Sequence, residues 1–278
     1  MTPSSTVERV YRAGGHPARS ERLGTSGTVR AAQSERLGKS GSARAARHEA
    51  ARYPVAMYTF SVSELRHGLV GWVEHAGERE PSAIDKARSR SPLSLGREGF
   101  EGDTVADRRN HGGIEKAVCV YPASRYDAWR ERYGSDLRRP AFGENLLVAG
   151  VDEQSTCVGD VIALGTALVQ VSQPRVPCHK PAAFTGEIRL TNDLIDTGWT
   201  GWYLRVLEPG VIEEGDQGRL LVRLEGALSV LRLNGLRYGE AVDTDALEAA
   251  AEAPGLLPDW RETLRARAAR LRREDREP

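Results

Sequence analysis

Cysteine is scarce in this chain, and the spacing of its three copies excludes several kinds of site. Cys119, Cys157 and Cys178 are separated by 38 and 21 positions, with no Cys-x-x-Cys pair. That spacing argues against a structural zinc site. Three thiols are also too few for a four-cysteine iron–sulfur cluster plus a separate reactive thiol. Because the count is odd and no signal peptide is recognisable, we expect a reducing, cytoplasmic location.

Other familiar signatures are missing as well. No apolar run approaches the ~18 residues of a membrane helix, so no membrane association is expected. The sequence lacks a Walker phosphate loop, a Gly-x-Gly-x-x-Gly nucleotide fingerprint and a Gly-x-Ser-x-Gly hydrolase elbow. The formal net charge is zero, and after residue 56 there are 29 basic against 35 acidic residues. A mildly acidic folded part gives no support for nucleic-acid binding.

The compensating positive charge lies in residues 1–56, which hold 10 basic and 4 acidic residues. A 14-residue unit recurs there, over 20–33 and 34–47, with 10 of 14 positions identical. One leucine and two glycines per unit exclude a coiled coil and leave too little apolar surface for a core. We predict a disordered basic extension, with a faint likeness to an organelle transit peptide, and a functional start near Met57.

Short apolar runs broken by Gly, Pro and Asp fill residues 69–224. Several of them alternate with a period of two, which predicts a mainly β fold of the antiparallel sandwich or barrel type. One helix is predicted over Ala123–Tyr133, after Pro122, with Tyr126 and Trp129 on the same face. The predicted strands are Leu69–Glu74, Pro92–Leu95, Ala117–Tyr121, Asn145–Val148, Asp160–Leu164, Ala167–Gln173, Gly201–Leu207 and Arg219–Glu225.

After residue 226 the apolar spacing becomes helical. One helix is predicted near 228–236, an alanine-rich one over Asp245–Glu252, and a third opening with a capping box at Asp259 and Glu262. Helix-face apolar residues are usually core, so we expect a small all-α domain that packs on itself or on the β domain. The predicted organisation is an extension over 1–56, a β domain over 57–225 and the helical domain over 226–278. The defining apolar residues of the first and third helices are Leu228, Leu231 and Leu236, and Trp260, Leu264 and Leu271.

One thiol stands out by its surroundings. Cys178 lies in the stretch QPRVPCHK, residues 173–180, where two prolines stiffen the backbone. Arg175, His179 and Lys180 favour the thiolate, which suits nucleophilic attack or ligation of a soft metal. The alternative is a buried cysteine acting as a small hydrophobe. A Cys–His hydrolase dyad would need His111, since the adjacent His179 points away from the thiol.

A second cluster, RRNHGGIEK over residues 108–116, directly precedes a predicted strand. Gly112 and Gly113 allow backbone amides to approach an anion closely. The two arginines, His111 and Lys116 add charge-assisted donors, so the segment fits a phosphate or a phosphorylated cofactor. A solvated turn with ordinary surface arginines accounts for the same residues equally well.

Weaker signals come from two other polar residues. Asn145, in the stretch FGENL, suits a hydrogen bond to a ligand or the closing of a turn. Lys86 follows Asp85, and an exposed pair of this kind is commonplace. Cys119 sits in an apolar run and Cys157 precedes a turn, so both are expected to pack in the core.

Taken together in chain order, five segments resemble the MOSC domain, which also occurs at the C-terminus of molybdenum cofactor sulfurases. The similarity covers about residues 57–272 and is greatest to the stand-alone branch with a short three-helix C-terminal domain. Bacterial 6-hydroxylaminopurine reductases belong to that branch. The segments are GFEGDTVADRRNHGGIEKAV (99–118), YPASRYDAW (121–129), FGENL (142–146), VGDVIALGTALVQVSQPRVPCHK (158–180) and GWTGWYLRVLEPG (198–210).

The resemblance implies a β-barrel that holds molybdenum bound to a pterin dithiolene. Cys178 matches the family cysteine that ligates the metal, which makes it the implied catalytic and metal-binding residue. A molybdenum centre with soft sulfur ligands readily accepts one more thiolate. The segment implied to face the anionic cofactor contains Arg109, His111, Gly112, Gly113 and Lys116. Less defined roles are implied for Lys86, Asn145 and Arg175.

The implied activity is reduction of N-hydroxylated compounds, either hydroxylaminopurine-like bases or amidoximes. Such a reduction consumes electrons, and the chain has no flavin, nicotinamide or iron–sulfur motif, so we predict a separate electron-donor redox protein. Two other functions stay open. In the second interpretation, Cys178 carries a persulfide in a sulfur-carrier or cofactor-binding module. In the third interpretation, the barrel binds a phosphorylated ligand through Gly112 and Gly113 without catalysis.

Overall fold

Eight of the thirteen strands in the described residues form one sheet, and the other five form a three-stranded and a two-stranded sheet. The computed structural model describes residues 58–275. Its strands, in chain order, are β1 Thr59–His67, β2 Gly71–His75, β3 Glu78–Ser82, β4 Ala87–Ser89, β5 Leu93–Gly96, β6 Gly99–Phe100, β7 Val118–Pro122, β8 Leu146–Ala149, β9 Val161–Leu164, β10 Ala167–Pro174, β11 Trp202–Glu208, β12 Gly210–Ile212 and β13 Gln217–Val222.

Seven of these strands close into a barrel. The order around it is β13-β9-β10-β11-β7-β8-β1, and β1 pairs again with β13 to complete the ring. Only the β7–β8 pair of the ring is parallel, while its other pairs are antiparallel. β4 extends the sheet beside the second half of β1. The predicted mainly β, barrel-type fold is confirmed.

Helices occupy the connections and the C-terminal part of the described residues. Those within the β region are α1 Arg108–His111, α2 Ala123–Tyr133, α3 Lys180–Thr185 and α4 Leu190–Thr197, with a 3₁₀ turn at Ile114–Lys116. Three more follow the barrel: α5 Val230–Tyr238, α6 Thr244–Ala251 and α7 Pro258–Glu274. The predicted helical C-terminal domain is therefore confirmed. The proposed limits, 57–225 and 226–278, stay a prediction.

An aromatic cluster packs α2 against β7 and the loop FGENL. As predicted, Tyr126 and Trp129 share the buried face of α2. The ring of Phe142 stacks on Tyr121 of β7 with centroids 3.8 Å apart, and Tyr126 meets the same pair. This aromatic cluster fixes the approach to β8, at the start of which Asn145 lies.

The third C-terminal helix begins one residue before the predicted capping box. Pro258 is the first helical residue, and Leu257 at the N-cap makes no side-chain capping bond. Proline suits that position because its fixed φ and missing N–H cost nothing there, so the prediction of a capping box at Asp259 and Glu262 is wrong. Trp260 is buried and donates from Nε1 to Oε1 of Gln173 on β10 at 3.0 Å, which ties the helix to the barrel.

Two further findings concern membrane-spanning helices and the N-terminal predictions. None of the helices in residues 58–275 has both the length and the hydropathy needed to cross a bilayer. The predicted basic extension over 1–56, with its repeat, and the predicted functional start near Met57 lie outside the described residues.

Candidate functional site

A cavity of about 640 Å³ gathers residues from segments that are far apart in sequence. Its walls come from the β3–β4 connection, the segment between β6 and β7, the loop before β8, the loop after β10, and β11. Eight of the nine residues predicted for the site line this one cavity: Lys86, His111, Gly112, Gly113, Lys116, Asn145, Arg175 and Cys178.

Arg109 is the predicted residue that the cavity lining does not include. It is exposed on α1, whereas Arg108 and His111 of the same helical turn line the wall. Residues three apart share a helix face and the intervening one points elsewhere, which accounts for the difference. In this geometry Arg108, rather than Arg109, contributes charge to the cavity.

The loop after β10 brings a thiol and a buried cation together. Cys178 is half-buried, and Nη2 of Arg175 lies 3.8 Å from its Sγ. Arg175 is only 3% exposed, and its Nη1 is buried without a hydrogen-bond partner in the described structure. Burial opposes the charge of Arg175, but nearby Cys178 and Tyr203 raise the pKa of the guanidinium above its ordinary value. A buried, unpaired guanidinium N–H is costly unless an anion meets it.

The other two basic residues near the thiol have their own contacts. His179 Nε2 lies 2.8 Å from Oε2 of Glu80, and its ring packs 4.5 Å from that of His75. Lys180 lines the cavity and donates from Nζ to the carbonyl of Pro81 at 2.9 Å. Arg175 therefore contacts Cys178, while His179 is directed towards Glu80.

The expectation that Lys86 and Asp85 form an exposed neighbouring pair is wrong. Lys86 is buried and forms an ion pair with Asp103, with exposed fractions of 5% and 8%. The adjacent Asp85 is exposed and pairs with Arg138 instead, at 2.7 Å. Asp103 also accepts from the backbone N–H of Gly68 at 2.9 Å. The sequence reasoning missed Asp103, although the residue lies within the first of the five segments.

Asn145 forms the centre of the same network. Its Nδ2 donates to Oδ2 of Asp103 at 2.9 Å and to the carbonyl of Arg66 at 3.2 Å. Its Oδ1 accepts from the backbone N–H of Cys119 at 3.0 Å. Burial raises the pKa of the Cys119 thiol to about 12, so Cys119 lines the cavity as a neutral thiol. Asn145 thus joins β1, β7 and the Lys86–Asp103 pair into one wall.

His111 faces the cavity as a neutral imidazole. Burial is the main cause, and the positive charge of Arg175 the next, that lower its pKa to about 4. Its Nδ1 lies 3.0 Å from the hydroxyl of Tyr203, another lining residue that the sequence reasoning missed. Alternation placed Tyr203 on one face of its strand, but nothing in the sequence joined it to a residue 92 positions away.

The two glycines shape an open part of the wall. Gly113 adopts φ of +94°, and a Cβ built there would meet no atom within 4 Å. At Gly112 a Cβ would stand 2.8 Å from the carbonyl oxygen of Arg108, so a side chain is excluded sterically. Both residues line the cavity and leave bare backbone facing it, as close approach of an anionic ligand requires.

Positive charge dominates the cavity lining. Five basic residues, Lys86, Arg108, Lys116, Arg175 and Lys180, face three acids, Glu98, Asp103 and Asp107. Asp103 is taken up by Lys86, and Asp107 accepts from the N–H of Asn110 as the cap of α1. Within residues 58–275 no group of three His, Cys, Asp or Glu side chains could hold a metal ion. The excess of basic residues in the lining therefore suits an anionic ligand.

The depressed pKa of His111 predicts an acid-dependent loss of stability. Below pH about 6.5, His111 binds a proton in the unfolded chain, whereas in the folded chain it stays neutral down to pH about 4. Stability therefore falls as the pH falls through this window, by about 2–3 kcal/mol from this group. His111→Gln removes that loss. Urea unfolding at pH 7.0, 5.5 and 4.5 should show the variant gaining on wild type as acid is added, and a constant difference would contradict the assignment.

Two family profiles and several relatives match this chain. The MOSC domain matches residues 107–219, and the YiiM-like, 3-alpha helix domain matches residues 228–270. YflK of Bacillus subtilis (strain 168) is 42% identical over 212 residues, covering 76% of this chain and 96% of YflK. The crystal structure of YiiM from Geobacillus stearothermophilus has a TM-score of 0.63 and 35% identity, covering 75% of this chain and 99% of that one.

A third relative bears a name that refers to chemistry. A protein named Reductase from Gibberella moniliformis (strain M3125 / FGSC 7600) is 33% identical over 177 residues, which are 62% of this chain and 31% of that protein. Identity with YflK extends over nearly the whole of YflK, and the helical profile matches the region of α5 to α7. The chain belongs to the MOSC-domain family, among the members that carry a YiiM-like three-helix domain at the C-terminus.

Proposed function

We propose that this protein binds the molybdenum cofactor and uses it to reduce N-hydroxylated compounds, such as hydroxylaminopurine-like bases or amidoximes. The observation that carries the proposal is the contact of half-buried Cys178 with buried Arg175, whose Nη1 has no hydrogen-bond partner in the described structure, in a cation-lined cavity. Membership of the MOSC family supports the choice of cofactor. The relative named Reductase supports a reductive activity.

Each part of the wall has a role in this proposal. The Cys178 thiolate is the protein ligand to the metal, a soft donor suited to a sulfur-rich molybdenum centre. Nη1 of Arg175 and the side chain of Lys116 hold the anionic parts of the cofactor, and the backbone at Gly112 and Gly113 admits it closely. Lys86 and Asn145, both in the Asp103 network, keep the opposite wall in place.

The reaction needs two electrons and two protons for each substrate molecule. The N–O bond breaks, one proton goes to the nitrogen, and the other goes to the oxygen, which leaves as water. The molybdenum cofactor supplies the redox chemistry, while the protein orients the group and the substrate and excludes bulk water. We propose that a separate redox protein delivers the electrons, because the sequence carries no flavin, nicotinamide or iron–sulfur motif.

The test is expression of the full chain in a host that makes the cofactor and in one that does not. We expect about one molybdenum and one pterin per chain from the first host only. With a reduced viologen dye as electron source, that protein should convert 6-hydroxylaminopurine or an amidoxime to the amine or amidine. Metal-free protein with sulfane sulfur on Cys178 would favour the sulfur-carrier function instead. Turnover with NADH alone would remove the need for a separate donor.

A further inference from the structure

Tyr203 is a buried residue of the barrel whose carbonyl and hydroxyl groups both form hydrogen bonds. It lies on β11, which pairs with β10 on one side and β7 on the other, opposite Gln173 and Cys119. Its carbonyl accepts from Oγ of Ser172 at 3.1 Å. Only 5% of the residue is exposed, and its hydroxyl reaches Nδ1 of His111 at 3.0 Å. The tyrosine hydroxyl therefore has a fixed position relative to the cavity.

The direction of that hydrogen bond follows from the two protonation states. Burial raises the pKa of Tyr203 far above its ordinary value, so its hydroxyl keeps the proton. A neutral imidazole has one protonated and one unprotonated nitrogen, and the hydroxyl supplies a donor to the unprotonated one. Nδ1 of His111 is then the acceptor, and its hydrogen is on Nε2. Within residues 58–275, Nε2 of His111 has no hydrogen-bond partner, and the side chain lines the same cavity as Cys178.

We propose that Tyr203 sets the tautomer of His111, and that the Nε2–H of His111 donates a hydrogen bond to the oxygen of the substrate's N–OH group. The choice of substrate rests on the proposed function, whereas the tautomer does not. Negative charge develops on this oxygen as the N–O bond breaks, so a fixed donor stabilises the transition state more than the bound substrate. His111 transfers no proton in this role. Tyr203 acts through His111 and is a positioning residue.

A neutral donor suits this position better than another cation. Lys116, Arg175 and Lys180 are charged neighbours that also lower the pKa of His111, and in the proposed function their charge serves the cofactor. A neutral imidazole can approach an uncharged N–OH group without competing with these cations for the anionic groups of the cofactor. Neutral histidine serves in the same way at enzyme sites where an imidazole, kept unprotonated by its surroundings, polarises a substrate oxygen.

The first experiment measures the tautomer in the full-length, cofactor-free chain. Protein labelled with ¹⁵N-histidine is examined at pH 7 by long-range ¹H–¹⁵N NMR, and the signals of His111 are assigned by their loss in His111→Gln. We expect the Nε2–H tautomer in wild type and a mixture of tautomers in Tyr203→Phe. Tyr238→Phe is the matched control, since that buried hydroxyl has no partner in the described structure. An Nδ1–H tautomer in wild type, or no change in Tyr203→Phe, would overturn the proposal.

The second experiment uses the cofactor-loaded protein and the dye-linked assay. Tyr203→Phe should retain molybdenum and lower kcat about 10-fold with KM within about twofold, whereas His111→Gln should lower kcat about 100-fold. Equal kcat in Tyr203→Phe and wild type would overturn the role of the dyad while leaving the proposed function standing. Wild type that contains molybdenum but reduces no N-hydroxylated compound would defeat the proposed function, even if the NMR result holds.

Discussion

Cys178→Ala is expected to lose nearly all molybdenum, from about one atom per chain in wild type to less than about one tenth. Within residues 58–275 no cluster of His, Cys, Asp and Glu could hold the metal in its place. In the proposed function the Cys178 thiolate is the covalent link from the protein to the metal, while Arg175 and the glycine backbone contribute only non-covalent contacts. Loss of an inner ligand commonly makes a bound metal labile. Elemental analysis and pterin fluorescence after gel filtration give the measurement.

The other two cysteines provide internal comparisons for this experiment. Cys157 is buried outside the cavity lining, and Asp160 accepts from its backbone N–H at 2.9 Å. Cys157→Ala should therefore keep wild-type molybdenum at a modest cost in stability. Cys119→Ala changes a neutral thiol of the cavity wall and tests the assignment directly. Loss of metal in Cys119→Ala together with retention in Cys178→Ala would show that the wrong cysteine has been chosen.

A second substitution at Cys178 separates metal ligation from simple binding of the cofactor. Cys178→Ser keeps the size of the side chain but replaces the soft sulfur donor by a harder, less acidic oxygen. We expect it to retain pterin better than Cys178→Ala and to hold molybdenum weakly. If wild type, Cys178→Ala and Cys178→Ser carry equal molybdenum, Cys178 is not a ligand. The next measurement is then persulfide on the sulfur of Cys178 in wild type.

The sequence predicts the barrel from short apolar runs that end at turn residues, and it misses strands without such a run. β10 and β11 are predicted nearly to the residue, although their pairing shifts register twice. β1 was not predicted because polar residues separate its buried positions, and its pairing with β8 shifts register between Val62 and Glu64. The helices α3 and α4, of six and eight residues, were not predicted either.

At the site, the sequence identifies the segments but not the partners. Cys178 and the Gly112–Gly113 pair are recognisable from neighbours in the chain, and both line the cavity. Lys86 was misjudged because Asp85, beside it in sequence, looked like its partner, whereas folding buries it against Asp103. Tyr203 was missed for the same reason: its significance depends on a residue of a different segment. Local pattern gives residue type and spacing, and only the fold decides which side chains meet.

Asp103→Asn is expected to destabilise the protein by about 3–5 kcal/mol, the usual cost of leaving a buried charge without its partner. The carboxylate accepts from Nζ of Lys86, from Asn145 and from the N–H of Gly68. An amide keeps the shape but not the charge, and it must turn a donor towards one of these donors. Urea unfolding at pH 7 measures the change. Asp85→Asn, at the exposed neighbouring acid, is the matched control and should cost less than about 0.5 kcal/mol.

The double variant decides whether the pair acts as a unit. Lys86→Met alone leaves the carboxylate of Asp103 buried without its cation and should also cost about 3 kcal/mol. In the combination with Asp103→Asn no uncompensated charge remains, so the double variant should be more stable than the sum of the single changes allows, by about 2 kcal/mol or more. Additive costs would mean that solvent or another side chain compensates each charge separately. A coupled result would establish that Lys86 has its counter-ion within the protein, which leaves the anionic ligand to Arg175 and Lys116.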